Sequence, residues 1–180
     1  MTGKVIAVAK DEGHNFSKRI VPEIKIVTGL GVDGDAHKGA QVKHRSRVKA
    51  DPEQPNLRQV HLIHSELFDE VAKQGFHVNP ADLGENITTK GIDLLALPRG
   101  SHLKIGDDVV LEVTGLRNPC VQIDDFQKGL LSAVLDRGPN GELIRKSGIM
   151  TVVLKSGWVR SGDCIDAWLP DPPFLPLERV

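Results

Sequence analysis

Leu103-Lys104-Ile105-Gly106-Asp107-Asp108-Val109-Val110-Leu111-Glu112-Val113-Thr114-Gly115-Leu116 is a pair of apolar runs joined through a Gly-Asp turn. β-Branched and aliphatic residues on both sides of a tight turn are the composition of a hairpin. The same grammar returns downstream: Ile149 to Lys155 turns through Ser156-Gly157 into Trp158-Val159-Arg160, and Gly162-Asp163 introduces the alternating run Cys164-Ile165-Asp166-Ala167-Trp168. Upstream, Val5 to Lys10, Ile24 to Thr28 and Arg58 to Ile63 are further short runs bounded by turn residues. Strands this numerous expose unpaired edges unless the sheet closes or doubles, so the pattern predicts a mainly β fold, a barrel or a sandwich.

Two helices are expected beside the strands. Ser65 is placed to cap a helix carrying Leu67, Phe68, Val71 and Ala72 at helical spacing, which Gly75 closes. A second helix is expected from Ile123 to Leu135, with Ile123, Phe126, Leu130, Leu131 and Val134 on one side, ending before Gly138-Pro139-Asn140-Gly141. No linker divides the chain, so it reads as a single domain, 1–180, with the barrel over about 4–169. Pro170-Asp171-Pro172-Pro173-Phe174-Leu175-Pro176 opens a proline-rich arm, 170–180, that cannot continue a sheet and is expected to pack as an extended arm or stay loose.

Composition bounds the function. At 180 residues and a formal charge of -1, the chain can bury an ordinary core and lacks the basic excess usual in nucleic-acid binders. No stretch reaches the roughly 20 apolar residues of a membrane span, and the start is too weakly apolar for a secretory signal, so a cytoplasmic location is expected. There, Cys120 and Cys164 are thiols rather than a disulfide. Cys164, in an alternating strand, is read as a core residue. Cys120 follows Arg117-Asn118-Pro119, where proline stiffens the backbone that presents the sulfur.

Gly29-Leu30-Gly31-Val32-Asp33-Gly34 matches the dinucleotide fingerprint G-x-G-x-x-G, but no apolar helical stripe follows Gly34, and Asp51 lies in a proline-rich loop. The glycines instead suit a loop that exposes backbone N–H groups, from which Asp35 and His37 project as a polar pair. Lys38, Lys43, His44, Arg45, Arg47 and Lys49 form a local basic run, read either as a solvated loop or as a basic lid over an anion. His61 and His64 lack the further neighbours that a zinc site requires.

Four segments in order resemble the MOSC family, the molybdenum cofactor sulfurase C-terminal domains: Gly31-Val32-Asp33-Gly34-Asp35-Ala36-His37-Lys38-Gly39, Arg58-Gln59-Val60-His61-Leu62-Ile63, Gly84-Glu85-Asn86-Ile87-Thr88-Thr89 with Gly91-Ile92-Asp93-Leu94, and Arg117-Asn118-Pro119-Cys120. The resemblance implies a closed, strand-rich β-barrel of MOSC type with two or more peripheral helices. It also implies binding of the molybdenum cofactor (molybdopterin), with Cys120 as metal ligand and catalytic residue. Stand-alone members resemble the catalytic module of the mitochondrial amidoxime-reducing component, so the expected function is a molybdenum-dependent oxidoreductase that reduces N-hydroxylated or related substrates. The alternative is a non-redox carrier of sulfur, as a Cys120 persulfide, or of the cofactor itself.

Under the same resemblance, Asp35, His37, Arg58, Gly84, Glu85, Asn86 and Arg117 are expected to surround the cofactor, with Arg45 and Arg47 among the cations for its phosphate. Two cysteines cannot assemble a four-cysteine iron–sulfur cluster, so the reductase reading requires a separate electron-transfer reductase, and the carrier reading a cysteine desulfurase. A small-molecule substrate is expected, a homodimer stays open, and neither nucleic acid nor membrane is an expected partner. Pyridoxal phosphate (PLP) belongs to a desulfurase domain that the family's larger members add, and is not expected in this chain.

Overall fold

The computed structural model describes residues 1–41 and 53–180. Their strands are β1 (Thr2–Lys10), β2 (Arg19–Val21), β3 (Glu23–Val27), β4 (Gly31–Val32), β5 (Val60–His64), β6 (Ile87–Lys90), β7 (His102–Ile105), β8 (Val109–Leu116), β9 (Leu135–Arg137), β10 (Leu143–Arg145), β11 (Ile149–Lys155), β12 (Gly157–Arg160) and β13 (Cys164–Trp168). Every strand expected from the sequence is present.

Seven strands close on themselves in the order β13-β7-β8-β11-β5-β6-β1, with β1 returning to β13 through the pairs Thr2↔Asp166, Gly3↔Ile165 and Lys4↔Cys164. The barrel, not the sandwich, is how these strands dispose of their edges. All its neighbours are antiparallel except β5 and β6, which run parallel with Leu62 opposite Ile87. Outside the barrel, β2 pairs with β1, β9 with β10, and β3 joins β12 and β4 in an antiparallel three-stranded sheet. Gly29, Gly31 and Gly34 have φ of 70°, 107° and 75° and form the turns around β4, so the glycine-rich run builds a small antiparallel sheet instead of a nucleotide-binding unit.

Alternation along the strands sends one set of side chains into the barrel. Ile24, Ile26, Leu62, Ile87, Leu103, Ile105, Leu111, Val113, Ile149 and Ile165 are part of a single buried cluster. A second cluster lies outside β5, where Ile63 meets Leu67, Phe68 and Val71 of helix α1 (Glu66–Ala72), together with Leu83, Ile123, Leu130 and Val134. Ser65 stands at the N-cap of α1, but its hydroxyl makes no capping bond.

Two expectations are corrected. The helix expected over 123–135 is broken into α2 (Gln122–Phe126) and α3 (Leu130–Ala133), because Gly129 takes a left-handed conformation with φ 91° between them, and Leu135 already belongs to β9. Cys164 is exposed, since the alternation of β13 turns Ile165 and Ala167 inward and Cys164, Asp166 and Trp168 outward. Of the two outcomes expected for the proline-rich arm, it takes the packed one, tied to the barrel through backbone bridges at Leu175 and Arg179.

Candidate functional site

Strand ends and loops converge on a buried polar cluster beside the second core. Asn86 immediately precedes β6 and is locked to β5: its backbone N–H donates to the His61 carbonyl at 2.9 Å, while its side-chain oxygen accepts from the His61 N–H at 3.2 Å. Its amide nitrogen then reaches Asp35 Oδ2 at 3.0 Å. Asp35 is the hub of the cluster. Oδ2 also meets Lys18 Nζ at 2.5 Å, and Oδ1 accepts from the His37 backbone N–H at 3.0 Å and faces His37 Nδ1 at 3.2 Å. Burial pushes this carboxyl up, but the hydrogen bonds from His37 and the charge of Lys18 outweigh it and hold Asp35 well below the usual carboxylate range. Lys18 is equally buried, and that burial lowers its pKa against the opposing pull of Asp35.

His37 is only partly covered, with 33% of its side chain exposed, and its ring meets that of His14 edge-on at 5.7 Å. His61 is buried. Its Nε2 lies 2.9 Å from the Ser147 carbonyl, which can only accept, so Nε2 carries the proton. Burial, with the nearby charge of Arg117, drives its pKa well below the ordinary histidine value, and His61 is neutral.

Arg117 follows β8 and is also buried. Its guanidinium lies over the Phe16 ring at 5.8 Å, yet Nη1 has no hydrogen-bond partner. Burial lowers its pKa, opposed by Cys120 and Glu85. Glu85 is fully buried and displays the matching feature. Oε1 accepts from the Ala81 N–H at 2.7 Å and from the Thr88 hydroxyl at 2.9 Å, whereas Oε2 is unpartnered; burial raises this carboxyl. Gly84, with φ 83°, brings the backbone against Phe16, since a Cβ there would stand 2.5 Å from the Phe16 carbonyl oxygen. Cys120 is half-buried with its sulfur 3.5 Å from Gln122 Oε1, beside exposed Val121. Phe126 lies 6.1 Å from Phe16 and continues the apolar side of the site.

Asp35, His37, Glu85, Asn86 and Arg117 are thus brought together, with Cys120 at the edge of the same cluster and Arg58, half-buried, contributing its charge at His61. Arg45 and Arg47, with Lys43, His44 and Lys49 of the basic run, lie outside the described residues. Lys38 binds Asp33 at 2.5 Å instead of entering the cluster. Sequence reasoning missed Lys18 and Phe16, which arrive on the loop between β1 and β2 and have no local motif to mark them.

These donors fit the group that the sequence resemblance implies. Among the described residues, no three His, Cys, Asp or Glu side chains assemble to hold a bare ion. One accessible thiol beside an orphaned buried guanidinium instead suits a metal that brings its own ligands and negative charge.

A MOSC domain family model matches residues 34–166, and curated proteins give no match. Among solved structures, the YuaD protein from Bacillus subtilis is 26% identical, with a TM-score of 0.78 over 95% of this chain and 98% of that one. YiiM from Geobacillus stearothermophilus is 18% identical, with a TM-score of 0.66 over 98% and 80%, and YiiM from Escherichia coli is 18% identical, with 0.63 over 97% and 73%. With its barrel, the ordered segments around Asp35, Asn86 and Cys120, and a family match over most of its length, this chain belongs to the MOSC domain family.

Proposed function

We propose that the protein binds the molybdenum cofactor with Cys120 as a metal ligand and reduces N-hydroxylated or related small molecules. The observation that carries the reading is the half-buried Cys120 thiol beside a buried Arg117 whose Nη1 lacks a partner, in a family associated with this cofactor. Arg117 offers its free donor to an anionic part of the group, and Glu85 Oε2 offers an unpartnered acceptor for an N–H edge. Arg58 adds positive charge, as do Arg45 and Arg47 from the basic run. When bound, the cofactor supplies a redox-active metal that exchanges two electrons.

The residues of the chain supply position and protons. Reduction of an N–O bond takes two electrons and two protons and releases water. Asp35 orients His37 through Nδ1, which leaves Nε2 as the ring atom able to pass a proton. Phe16 covers one face of the Arg117 guanidinium. Electrons come from a separate electron-transfer reductase.

The test is molybdenum content after expression in a host that makes the cofactor. The native protein is expected to carry molybdenum and Cys120→Ala to lose it, and equal content in both overturns the ligand assignment. One observation favours a second reading: the sulfur is only half-buried and lies beside exposed Val121, as a carrier docking to a cysteine desulfurase requires. Incubation with such a desulfurase distinguishes the two, because the carrier gains one sulfur atom on Cys120 by intact mass.

A further inference from the structure

Residues 175–180 run along β8 where β7 has already left it. β7 pairs with β8 only from Val109 to Glu112, whereas β11 follows the opposite edge as far as Leu116. Beyond that point the vacated edge is first taken by Gly100 and Ser101: Gly100 N–H donates to the Val113 carbonyl and Val113 N–H to the Ser101 carbonyl, both at 2.8 Å. The arm then takes over. Leu116 N–H donates to the Glu178 carbonyl at 2.7 Å, and Val180 N–H donates to the Leu116 carbonyl at 3.2 Å, with Leu116 and Arg179 in parallel register. Arg99 N–H holds the Leu175 carbonyl at 2.9 Å, and Leu177 packs against the barrel core.

Gly115 makes room for this arrangement. A Cβ at that position would run into the Glu178 carbonyl oxygen and come within 2.7 Å of Val180 Cγ1. The φ of Gly115 is not positive, so the missing side chain serves the close approach of the arm and not a turn. Directly after Leu116 come Arg117 and, past Pro119, Cys120. Among the described residues, the Arg117 backbone is bonded from the β11 side, by its N–H on the Gly148 carbonyl at 3.0 Å and by the Ser147 hydroxyl on its carbonyl at 3.4 Å. The arm supplies the opposite edge, one residue upstream.

We propose that segment 175–180 is a positioning strap that fixes the end of β8, so that Arg117 stays buried and the Cys120 thiol is presented in one orientation. The strap matters to function through the reading of Cys120 as the reactive group of the site. Its structural effect on that thiol is independent of any bound cofactor.

Gly115→Ala in the full chain displaces the strap without cutting it, and deletion of 175–180 is the second variant. Both are made in a Cys164→Ser background, which leaves Cys120 as the only thiol. Loss of the strap is expected to speed exchange of the Leu116 amide by about tenfold or more, because its hydrogen bond returns to water. The rate at which Cys120 reacts with an aromatic disulfide should change by roughly fivefold or more in either variant, since access and orientation set thiol reactivity. The combined variant should go no further than either alone, as two lesions of one contact do.

Faster Leu116 exchange with a Cys120 rate within about twofold of the parent overturns the strap as a positioner. Unchanged Leu116 exchange in Gly115→Ala overturns the contact itself. If the deletion does not fold, the point variant decides. If the native protein carries no molybdenum, the cofactor reading fails while exchange and thiol rates still judge the strap.

Discussion

Asp35 concentrates more of the site's polar bonding than any other side chain described above, and its loss has a definite cost. Asp35→Asn removes the charge that compensates buried Lys18, with side-chain exposures of only 2% and 5% for the pair. Destabilisation of about 3–5 kcal/mol by urea unfolding is expected, as for other broken buried pairs. Removing both charges, in Lys18→Met with Asp35→Leu, should recover part of that loss; a double variant less stable than Asp35→Asn would show that the hydrogen bonds, not the charge, dominate. His61 sets a pH dependence. Its folded pKa lies below that of the unfolded chain, so the unfolded state takes up a proton first as pH falls. Its contribution is present in full above about pH 6.5 and declines below it toward the folded value. His61→Gln should flatten the fall of melting temperature between about pH 7 and 5 relative to the native protein; parallel curves would mean that His61 is not buried neutral. At this scale the sequence was legible where a motif held the residues together, as with Asp35 and His37 or Glu85 and Asn86. Lys18 was not, because its partner is 17 residues away across three strands and nothing in Ser17-Lys18-Arg19 distinguishes a buried lysine from a surface one.

Among the elements, strands were easier to read than helices, and the reason is physical. A strand declares itself by composition and bounding turns over a few residues, but the phase of its alternation depends on what lies inside. β13 illustrates this: Asp166, two residues after Cys164, already marked the outward face, and treating cysteine as apolar assigned the phase wrongly. The helix over 123–135 failed because Gly129 can break as well as continue an apolar stripe, and here Gln127 turns extended and Gly129 left-handed, conformations that no apolar spacing announces. The Gly84 turn carries an element-level prediction. Gly84→Ala meets both a positive φ and the Phe16 carbonyl, so a loss of roughly 1–3 kcal/mol is expected, together with a shifted Phe16 ring and altered burial of Arg117. Thermal unfolding and the chemical shifts of Phe16 check it, and an unshifted ring would separate the turn from the site.

For the whole molecule, closure is what the fold depends on. Gly3 sits in the β1–β13 seam, where a Cβ would come within 2.7 Å of Ile92 Cγ2 and 2.9 Å of the Lys90 carbonyl. Gly3→Val should wedge the seam and expose two strand edges, seen as a lower melting temperature and as oligomers by light scattering; a monomer of unchanged stability would show that the seam tolerates opening. That seam also has a consequence in time. β1 ends at Lys10 and its partner β13 begins only at Cys164, so the barrel cannot close on a nascent chain until the whole stretch between them has been made. At ordinary rates of synthesis the edge of β1 waits roughly 10–30 s for its partner, an interval in which a chaperone that covers strand edges would govern yield more than the stability of the finished barrel does.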